Sequence, residues 1–331
     1  MSEHICQDVD VKGAAALLRQ ADRVLLLTHQ YPDGDTIGSG FALCRALQHS
    51  GKRARVICAD EIPTKYDYIT GELQQDMFEP ACICAVDVAD PKLLGHALQP
   101  YADKVDLCID HHLSNTHYAR HLLLKDYAAT AMIVCELIRE LGVPFDRLMA
   151  ESIYTGIATD TGCFKYSNAD AYTHRMAADM LDYPVRAQMI NRAMFDVKSR
   201  ARIELERLAL AGITFAFDGR VSFMPITLRM VEQSGASEND MEGLAPLPRQ
   251  IEGVWVGVTL REKQDGRFKV SVRTDGEVSA AEICKQLGGG GHAGAAGCQL
   301  DGPLDLAISR LLTAIAQTAP DIQNSPDSVE Q

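Results

Sequence analysis

The sequence of 331 residues is poor in basic side chains relative to acidic ones and has no long apolar segment. Lys and Arg total 32 against 45 Asp and Glu, a formal net charge of −13, which argues against a basic surface that holds a long nucleic-acid duplex. No run of about 18 apolar residues occurs, and the N-terminus lacks the basic and apolar segments of a signal peptide. We therefore expect a cytoplasmic protein without membrane association, in which a local site binds any phosphate ligand.

The cysteines do not form the pattern of a disulfide framework, although there are 10 of them. They are spread along the chain, and several lie in apolar strand-like segments, which favours reduced thiols in a core. Examples are Cys58, Cys82, Cys84 and Cys108. Cys82 and Cys84 have no second pair at zinc-ribbon spacing, so a structural zinc site is disfavoured.

The order of apolar segments predicts two domains, as the length does. Short apolar runs predict buried strands over residues 24–27, 54–59, 81–86 and 105–109, with helices over 11–21, 37–49 and 91–98. This β/α alternation is typical of an α/β fold, a mostly parallel, doubly wound sheet with helices on both faces.

The second half of the chain changes character twice. Helical patterns cover residues 129–141, 146–159, 171–181 and 198–210, and from residue 213 alternating strands with glycine turns follow, including a hairpin over 253–260 and 267–274. We therefore predict a first domain over 1–190, a helical linker over 191–212, a smaller α+β domain over 213–318 across a cleft, and a disordered tail over 319–331.

Polar residues follow three of the predicted strands. They are His29, Asp33 and Asp35, then Asp87, then Asp110, His111 and His112. In a doubly wound sheet, ligands bind beyond the carboxyl ends of the strands. Each group has an ordinary alternative as a turn, a helix cap or a hydrogen-bonded histidine. Their coincidence favours a cation site, because several like charges in one cleft are costly unless cations neutralise them.

A fourth acid and a glycine-rich segment complete a recognisable set of motifs. The residues His29-x-x-x-Asp33-x-Asp35, Asp87, Asp110-His111-His112 and Asp160 resemble, in order, the four motifs of the DHH phosphoesterase superfamily. Residues 289–297, Gly-Gly-Gly-His-Ala-Gly-Ala-Ala-Gly, resemble the signature of its companion DHHA1 domain. The motifs span nearly the whole chain and are most similar to those of the stand-alone NrnA-type nanoRNases and pAp phosphatases.

This resemblance implies a pair of divalent cations, with Mn²⁺ as the usual ion of the family, and imidazole with carboxylate ligands suits that ion. One ion would be held by His29, Asp33, Asp87 and Asp160. The other would be held by Asp35, Asp87 and His111, so that Asp87 bridges the two. Asp110 would orient an imidazole, and His112 would act in catalysis by contacting the phosphoryl group or protonating the leaving oxygen.

The predicted second domain carries residues suited to a phosphate. Along residues 268–274, Lys269, Ser271 and Arg273 share one strand face. Arg273 and Ser271, with the glycine-rich loop, are expected to bind substrate; the loop residues are Gly289, Gly290, Gly291 and His292. Without the resemblance, a flexible loop and a solvated strand face explain these residues equally well or better. The family's Ser-x-Arg-Ser is here Ser-x-Arg-Thr, with Thr274 in the last place.

Two ions activate water, which accounts for the absence of a Ser or Cys nucleophile motif. The resemblance implies hydrolysis of very short 5′-phosphorylated oligonucleotides, dinucleotides especially, to mononucleotides, with pAp 3′-phosphatase action as an additional activity. One alternative is a specialist for linear or cyclic signalling dinucleotides, such as pGpG, pApA or a cyclic form. Another is a nucleotide-binding sensor without catalysis. Family members are often dimers, so a homodimer is expected.

Overall fold

The computed structural model describes residues 6–71, 73–241, 243–274 and 276–323. The chain divides between Val197 and Lys198 into two compact units, called unit 1 and unit 2 below. Among the described residues, no helix has the length and apolar character needed to cross a membrane. The domain limits predicted at residues 190, 212 and 318 stay predictions.

Unit 1 is built on a six-stranded parallel sheet, as the β/α alternation predicts. Its strands are β1 (Gln7–Asp8), β2 (Arg23–Leu27), β3 (Arg53–Ile57), β4 (Cys82–Val86), β5 (Leu107–Asp110) and β6 (His121–Leu124). All neighbours pair in parallel, in the order β1-β6-β5-β4-β2-β3. The strand order reverses between β2 and β4, because β3 lies on the outer side of β2. Such a reversal opens a crevice at the carboxyl ends of the two strands.

Helices cover one face of this sheet. They include α1 (Val11–Gln20), α2 (Gly34–His49), α3 (Asp67–Thr70), α4 (Thr130–Leu141), α5 (Arg147–Asp160), α6 (Ala171–Leu181) and α7 (Ala187–Asn191). The other face is packed by two 3₁₀ helices, Pro91–Leu94 and His96–Lys104, instead of the predicted α-helix over 91–98. Gly95 lies between them at φ +73°, and Pro100 lacks an N–H, so a continuous α-helix cannot form.

Two glycines let α5 lie close to α2 and α4. A methyl group at Gly38 would lie 2.3 Å from the carbonyl oxygen of Ser152. A methyl group at Gly156 would lie 2.5 Å from Cβ of Ala131 and 2.7 Å from Oδ1 of Asp35. This close packing brings the C-terminal end of α5 to the same edge of the sheet as the ends of β2 and β4.

Unit 2 contains a mixed six-stranded sheet and four α-helices among its described residues. Its elements are α8 (Arg200–Ala211), β7 (Thr214–Ala216), β8 (Val221–Ile226), α9 (Leu228–Ser234), β9 (Val256–Glu262), β10 (Arg267–Thr274), α10 (Ala280–Gln286), β11 (Gly290–His292), β12 (Ala295–Asp301) and α11 (Leu304–Thr318). The strand order is β11-β12-β10-β9-β8-β7, with only β8 and β9 parallel. The predicted β9–β10 hairpin is present, with Gly266 at φ +80° in its turn.

Two segments near the ends of unit 2 correspond to the predicted linker and tail. Helix α8, predicted as part of a linker, packs Leu205 and Ala209 against Met224 and Ile226 of β8. Residues Pro320–Gln323 of the predicted disordered tail form a 3₁₀ helix, because Ile322 is buried in the core of unit 2. The rest of the predicted tail lies outside the described residues.

Candidate metal centre

The six predicted metal ligands lie together at the carboxyl edge of the parallel sheet. His29 follows β2, Asp87 follows β4 and His111 follows β5. Asp33 is the N-cap residue of α2, Asp35 lies in its first turn, and Asp160 is the last residue of α5. The ligand atoms of these six residues and of His112 form three groups, and within each group all ligand atoms lie within 4.8 Å of one another. The groups are Asp87, His111 and His112; His29, Asp33 and Asp87; and Asp35, His111 and Asp160.

His29 aims one ring nitrogen at two carboxylates. Its Nδ1 lies 2.7 Å from the carbonyl oxygen of Gln30, which assigns the proton to Nδ1. Nε2 then faces Oδ2 of Asp33 and Oδ2 of Asp87, each at 3.6 Å. Burial lowers the pKa of His29, but Asp33 and Asp87 outweigh burial and raise that pKa to about 11. A positive charge is therefore strongly favoured between these three side chains.

His111 repeats this arrangement at the end of β5, which is separated from β2 by β4. Its Nδ1 lies 3.0 Å from the carbonyl oxygen of Tyr127, and its buried Nε2 has no hydrogen-bond partner among the described residues. Nε2 lies 3.4 Å from Oδ2 of Asp160 and 3.8 Å from Oδ1 of Asp87. A metal-binding histidine usually donates its other N–H to a carbonyl or carboxylate in this way. The orphaned nitrogen fits a metal ligand, whereas a buried unpaired nitrogen alone would be costly.

The carboxylates of the centre repel one another. Burial, followed by the charges of Asp87 and Asp33, raises the pKa of Asp35 well above its usual range. Burial and the charge of Asp35 do the same to the pKa of Asp160. Asp35 is nevertheless fixed in place, since it accepts hydrogen bonds from the N–H groups of Thr130 (2.6 Å) and Ala131 (2.8 Å) at the start of α4. Divalent cations would neutralise this excess of negative charge.

Asp87 occupies the middle of the centre. It belongs to two of the three groups, its side chain is almost fully buried, and its backbone has φ +61°, which is unusual for a residue other than glycine. This position suits the bridging role that the resemblance implies. Asp160 lies in one group with Asp35 and His111, whereas the resemblance assigns it to the ion of His29. The assignment of each ligand to an ion stays a prediction.

His112 and Asp110 form a polar pair beside the ligands. Nδ1 of His112 lies 2.8 Å from Oδ1 of the buried Asp110, and Nδ2 of Asn115 donates to Oδ2 of Asp110 at 2.7 Å. The bond with Asp110 raises the pKa of His112 to about 9, although burial opposes this shift. The ring is 45% exposed. Since Asp110 engages Nδ1, Nε2 is the nitrogen that remains to donate a proton to a substrate.

Four of the six predicted substrate residues of unit 2 share one face of its sheet, whereas Gly291 is in register with the opposite, buried face and Gly289 precedes β11. Ser271 pairs with Gly297, which pairs with Gly290, and Arg273 pairs with Ala295, which pairs with His292. Directly opposed residues point to the same face of a sheet. The predicted residues Ser271, Arg273, Gly290 and His292 therefore lie on one face, called the polar face below. On the opposite face of β10, the apolar side chains Phe268, Val270 and Val272 are buried. Substrate binding by the polar face stays a prediction.

Close backbone approach explains the glycines beside this face. A methyl group at Gly289 would lie 2.2 Å from the carbonyl oxygen of Gly297, and Gly291 has φ +147°. The segment forms strand β11, so the alternative reading as a flexible loop does not hold for residues 290–292. The guanidinium of Arg273 donates to the carbonyl oxygen of Val272 at 2.9 Å.

Sequence reasoning overlooks several residues around the metal centre. Thr130 contacts two of the proposed ligands, but a threonine at the start of a helix is too common to indicate this. Three large apolar side chains flank the ligand segments and are exposed: Tyr31 by 74%, Leu113 by 70% and Tyr166 by 57%. Their proximity in sequence to His29, His112 and Asp160 is a usable signal, but their exposure is visible only in the structure.

Comparison with known proteins identifies the family. Residues 23–157 match the DHH family, N-terminal domain, and residues 221–319 match the DHHA1 domain. The bifunctional oligoribonuclease and PAP phosphatase NrnA of Thermus thermophilus is 35% identical over 303 residues, with 89% of each chain covered.

Two solved structures share the fold. An exopolyphosphatase-related protein from Bacteroides fragilis is 23% identical with a TM-score of 0.85, over 95% of this chain and 97% of that one. RecJ from Thermus thermophilus, in complex with Mn²⁺, is 16% identical with a TM-score of 0.53, over 93% of this chain and 55% of that one. With both domain matches in the expected order and a relative that covers most of its length, this chain belongs to the DHH phosphoesterase family and carries a DHHA1 domain.

Proposed function

We propose that this protein is a metal-dependent phosphodiesterase that hydrolyses very short 5′-phosphorylated oligonucleotides, dinucleotides especially, to mononucleotides. The observation that carries the proposal is the arrangement of two ring nitrogens, Nε2 of His29 and Nε2 of His111, aimed into a cluster of carboxylates. The carboxylates belong to Asp33, Asp35, Asp87 and Asp160. Four carboxylates offset two divalent cations, and oxygen with imidazole ligands suits Mn²⁺.

The residues of the centre have distinct tasks in this proposal. Two bound cations would supply an activated water and neutralise charge on the phosphate. Asp87 holds the two halves of the centre together. Asp110 keeps His112 protonated and oriented through its Nδ1, so that Nε2 of His112 can give a proton to the leaving oxygen. No side chain has to act as the nucleophile.

Several features support a short nucleotide as the substrate. The exposed Tyr31 and Tyr166, close in sequence to His29 and Asp160, offer aromatic faces on which bases can stack without regard to sequence, and the exposed Leu113 offers a further apolar contact. The net charge of −13 disfavours long nucleic acids held by their backbone. The similar protein of Thermus thermophilus is named an oligoribonuclease and PAP phosphatase, which supports pAp 3′-phosphatase action as a second activity.

The finer properties of the enzyme rest on the family resemblance. It supports the proposals that both ions are Mn²⁺, that the enzyme is a homodimer, and that it acts in the cytoplasm. It also supports the proposal that Arg273, Ser271 and the segment from Gly289 to His292 bind the substrate phosphate.

The decisive experiment is hydrolysis by metal-free protein reloaded with Mn²⁺. The substrates are pGpG, pApA, RNA of about 20 nucleotides, pAp, cyclic dinucleotides and pyrophosphate. We expect kcat/KM for the linear dinucleotides to exceed that for the longer RNA at least tenfold, with no activity before Mn²⁺ is added. Use of cyclic dinucleotides alone would favour the signalling specialist. Nucleotide binding without turnover of any substrate would favour the sensor and reject the enzyme.

A further inference from the structure

Thr130, the first residue of α4, contacts two proposed ligands that come from different elements. Its N–H donates to Oδ2 of Asp35 at 2.6 Å, and its Oγ1 donates to Oδ1 of Asp87 at 2.8 Å. Its side chain is fully buried. One residue therefore touches a ligand on α2 and a ligand at the end of β4.

The orientation of Asp87 needs such a contact. The residue has φ +61°, a conformation that a non-glycine residue keeps only where its surroundings determine it. Its own N–H is bonded to the carbonyl oxygen of Ile109. The rings of His29, His111 and His112 approach its carboxylate only to 3.6–3.8 Å, which is beyond hydrogen-bonding distance. The hydroxyl of Thr130, at 2.8 Å, is much closer.

This hydrogen bond also assigns the two oxygens of Asp87. Oδ1, bonded to Thr130, lies on the side of His111 and His112, and Oδ2 lies on the side of His29. Rotation of the carboxylate would break the bond and disturb both sides together. Without the hydroxyl, repulsion from Asp35 is free to turn the carboxylate of Asp87.

We propose that Thr130 is a positioning residue that fixes Asp35 and Asp87 together and so preorganises both halves of the metal centre. The inference rests on the proposed function in one respect, namely that divalent cations bind at this centre. It adds that their affinity depends on the Thr130 hydroxyl, which touches neither ion nor substrate in this assignment.

The test is Mn²⁺ binding to metal-free, full-length protein, measured by titration calorimetry. Thr130→Val removes the hydroxyl at nearly constant volume, and Thr130→Ser retains it. Loss of a group that supports metal ligands typically lowers metal affinity by about 10- to 100-fold. We expect that loss for Thr130→Val and binding close to wild type for Thr130→Ser. Turnover of a dinucleotide should show a lower kcat for Thr130→Val at saturating Mn²⁺, with little change in KM.

A matched control exists at Thr173, which is also buried and whose Oγ1 donates to Oδ1 of Asp170 at 2.9 Å. Thr173→Val removes the same kind of hydrogen bond away from the ligands and should leave Mn²⁺ affinity unchanged. Thr130→Ala, which also lacks the hydroxyl, serves if Thr130→Val does not fold. Wild-type affinity in either hydroxyl-free variant, or weak binding by Thr130→Ser, would overturn the inference. Failure of the wild-type protein to bind Mn²⁺ would instead overturn the proposed function.

Discussion

In unit 1, the proposed ligands Asp35 and Asp87 are buried and held by hydrogen bonds from the first turn of α4. On the polar face of unit 2, Arg273 is only half-buried and His292 is exposed, on strands whose other face forms the core. Enzymes stabilise a transition state electrostatically with buried charges that are held in fixed positions. An open sheet face suits binding of a substrate. We therefore expect changes in unit 1 to lower metal affinity and kcat, and changes on the polar face to raise KM.

The two regions also differ in what their polar groups do to stability. Burial and the neighbouring carboxylates raise the pKa values of Asp35 and Asp160, so the fold keeps this arrangement against desolvation and repulsion. The polar face of unit 2 has no comparable crowding among its described residues. Function in unit 1 should therefore oppose stability, as is common at active sites.

The largest effect is expected from Asp87→Asn, which keeps the size of the side chain and tolerates positive φ but removes the charge. We predict that kcat for dinucleotide hydrolysis falls at least about 100-fold, since the proposed shared ligand of two cations is lost. The melting temperature of the metal-free protein should change little, because the lost repulsion between Asp87 and Asp35 is offset by the lost attraction between Asp87 and His29. Both are measured on the same preparation, by steady-state kinetics and by thermal unfolding.

The matched control is Asp179→Ala, at an exposed carboxylate paired with Arg139 on the surface. Such pairs contribute little to stability, so activity and melting temperature should match those of the wild type. If Asp87→Asn kept more than a tenth of the wild-type kcat, the central role of Asp87 would have to be abandoned.

The sequence predicts that the proposed metal ligands meet at one edge of the sheet, because this outcome depends on the order of the strands and not on the packing of side chains. The polar residues after residues 27, 86 and 109 had to meet once the apolar runs formed adjacent parallel strands. Asp160 could be added only through the family motif, since its approach depends on the packing of Gly156 against α4 and Asp35. No local sequence pattern marks Thr130, and its role is visible only in the folded structure, where α4 packs beside the ligands.

Other elements lay beyond sequence reasoning for a different reason. Strands β1 and β6 are short, and each gains stability only by pairing with a neighbour that is far away in the sequence. Without the family match, the glycine-rich segment favours a flexible loop, and its pairing as β11 follows from the contact of Gly291 with Ala296 on β12. Hydrophobic periodicity does not report such long-range pairing.

A smaller effect is expected from adding one methyl group beside the ligands, with Gly156→Ala. The new group would meet Ala131 at 2.5 Å and Oδ1 of Asp35 at 2.7 Å. Overpacking of this kind costs about 1–3 kcal/mol in the free energy of unfolding, measured by urea denaturation. Displacement of Asp35 should also weaken Mn²⁺ binding by about tenfold, the lower end of the effect of a disturbed ligand support.

Unit 2 offers the matching glycine next to its polar face. At Gly294, the nearest atom to an added methyl group is the carbonyl oxygen of Thr274, 3.8 Å away, which is an ordinary contact. We therefore expect Gly294→Ala to leave the free energy of unfolding and Mn²⁺ affinity nearly unchanged. If Gly156→Ala and Gly294→Ala lowered the free energy of unfolding equally, the two units would not differ in how well they accommodate an added methyl group.

Arg273→Ala on the polar face should affect substrate binding alone, and its effect should appear in KM. A hydrogen bond to a charged group contributes about 1.5–3 kcal/mol, so loss of a phosphate contact should raise KM for a dinucleotide by about tenfold or more. Mn²⁺ affinity should stay at the wild-type value, in contrast to the changes in unit 1. Arg267→Ala is the control, because Arg267 lies on the same strand, six residues away, and is paired with Asp265. An unchanged kcat/KM in Arg273→Ala would remove Arg273 from the substrate site, and a loss of Mn²⁺ binding would contradict the division of tasks between the two units.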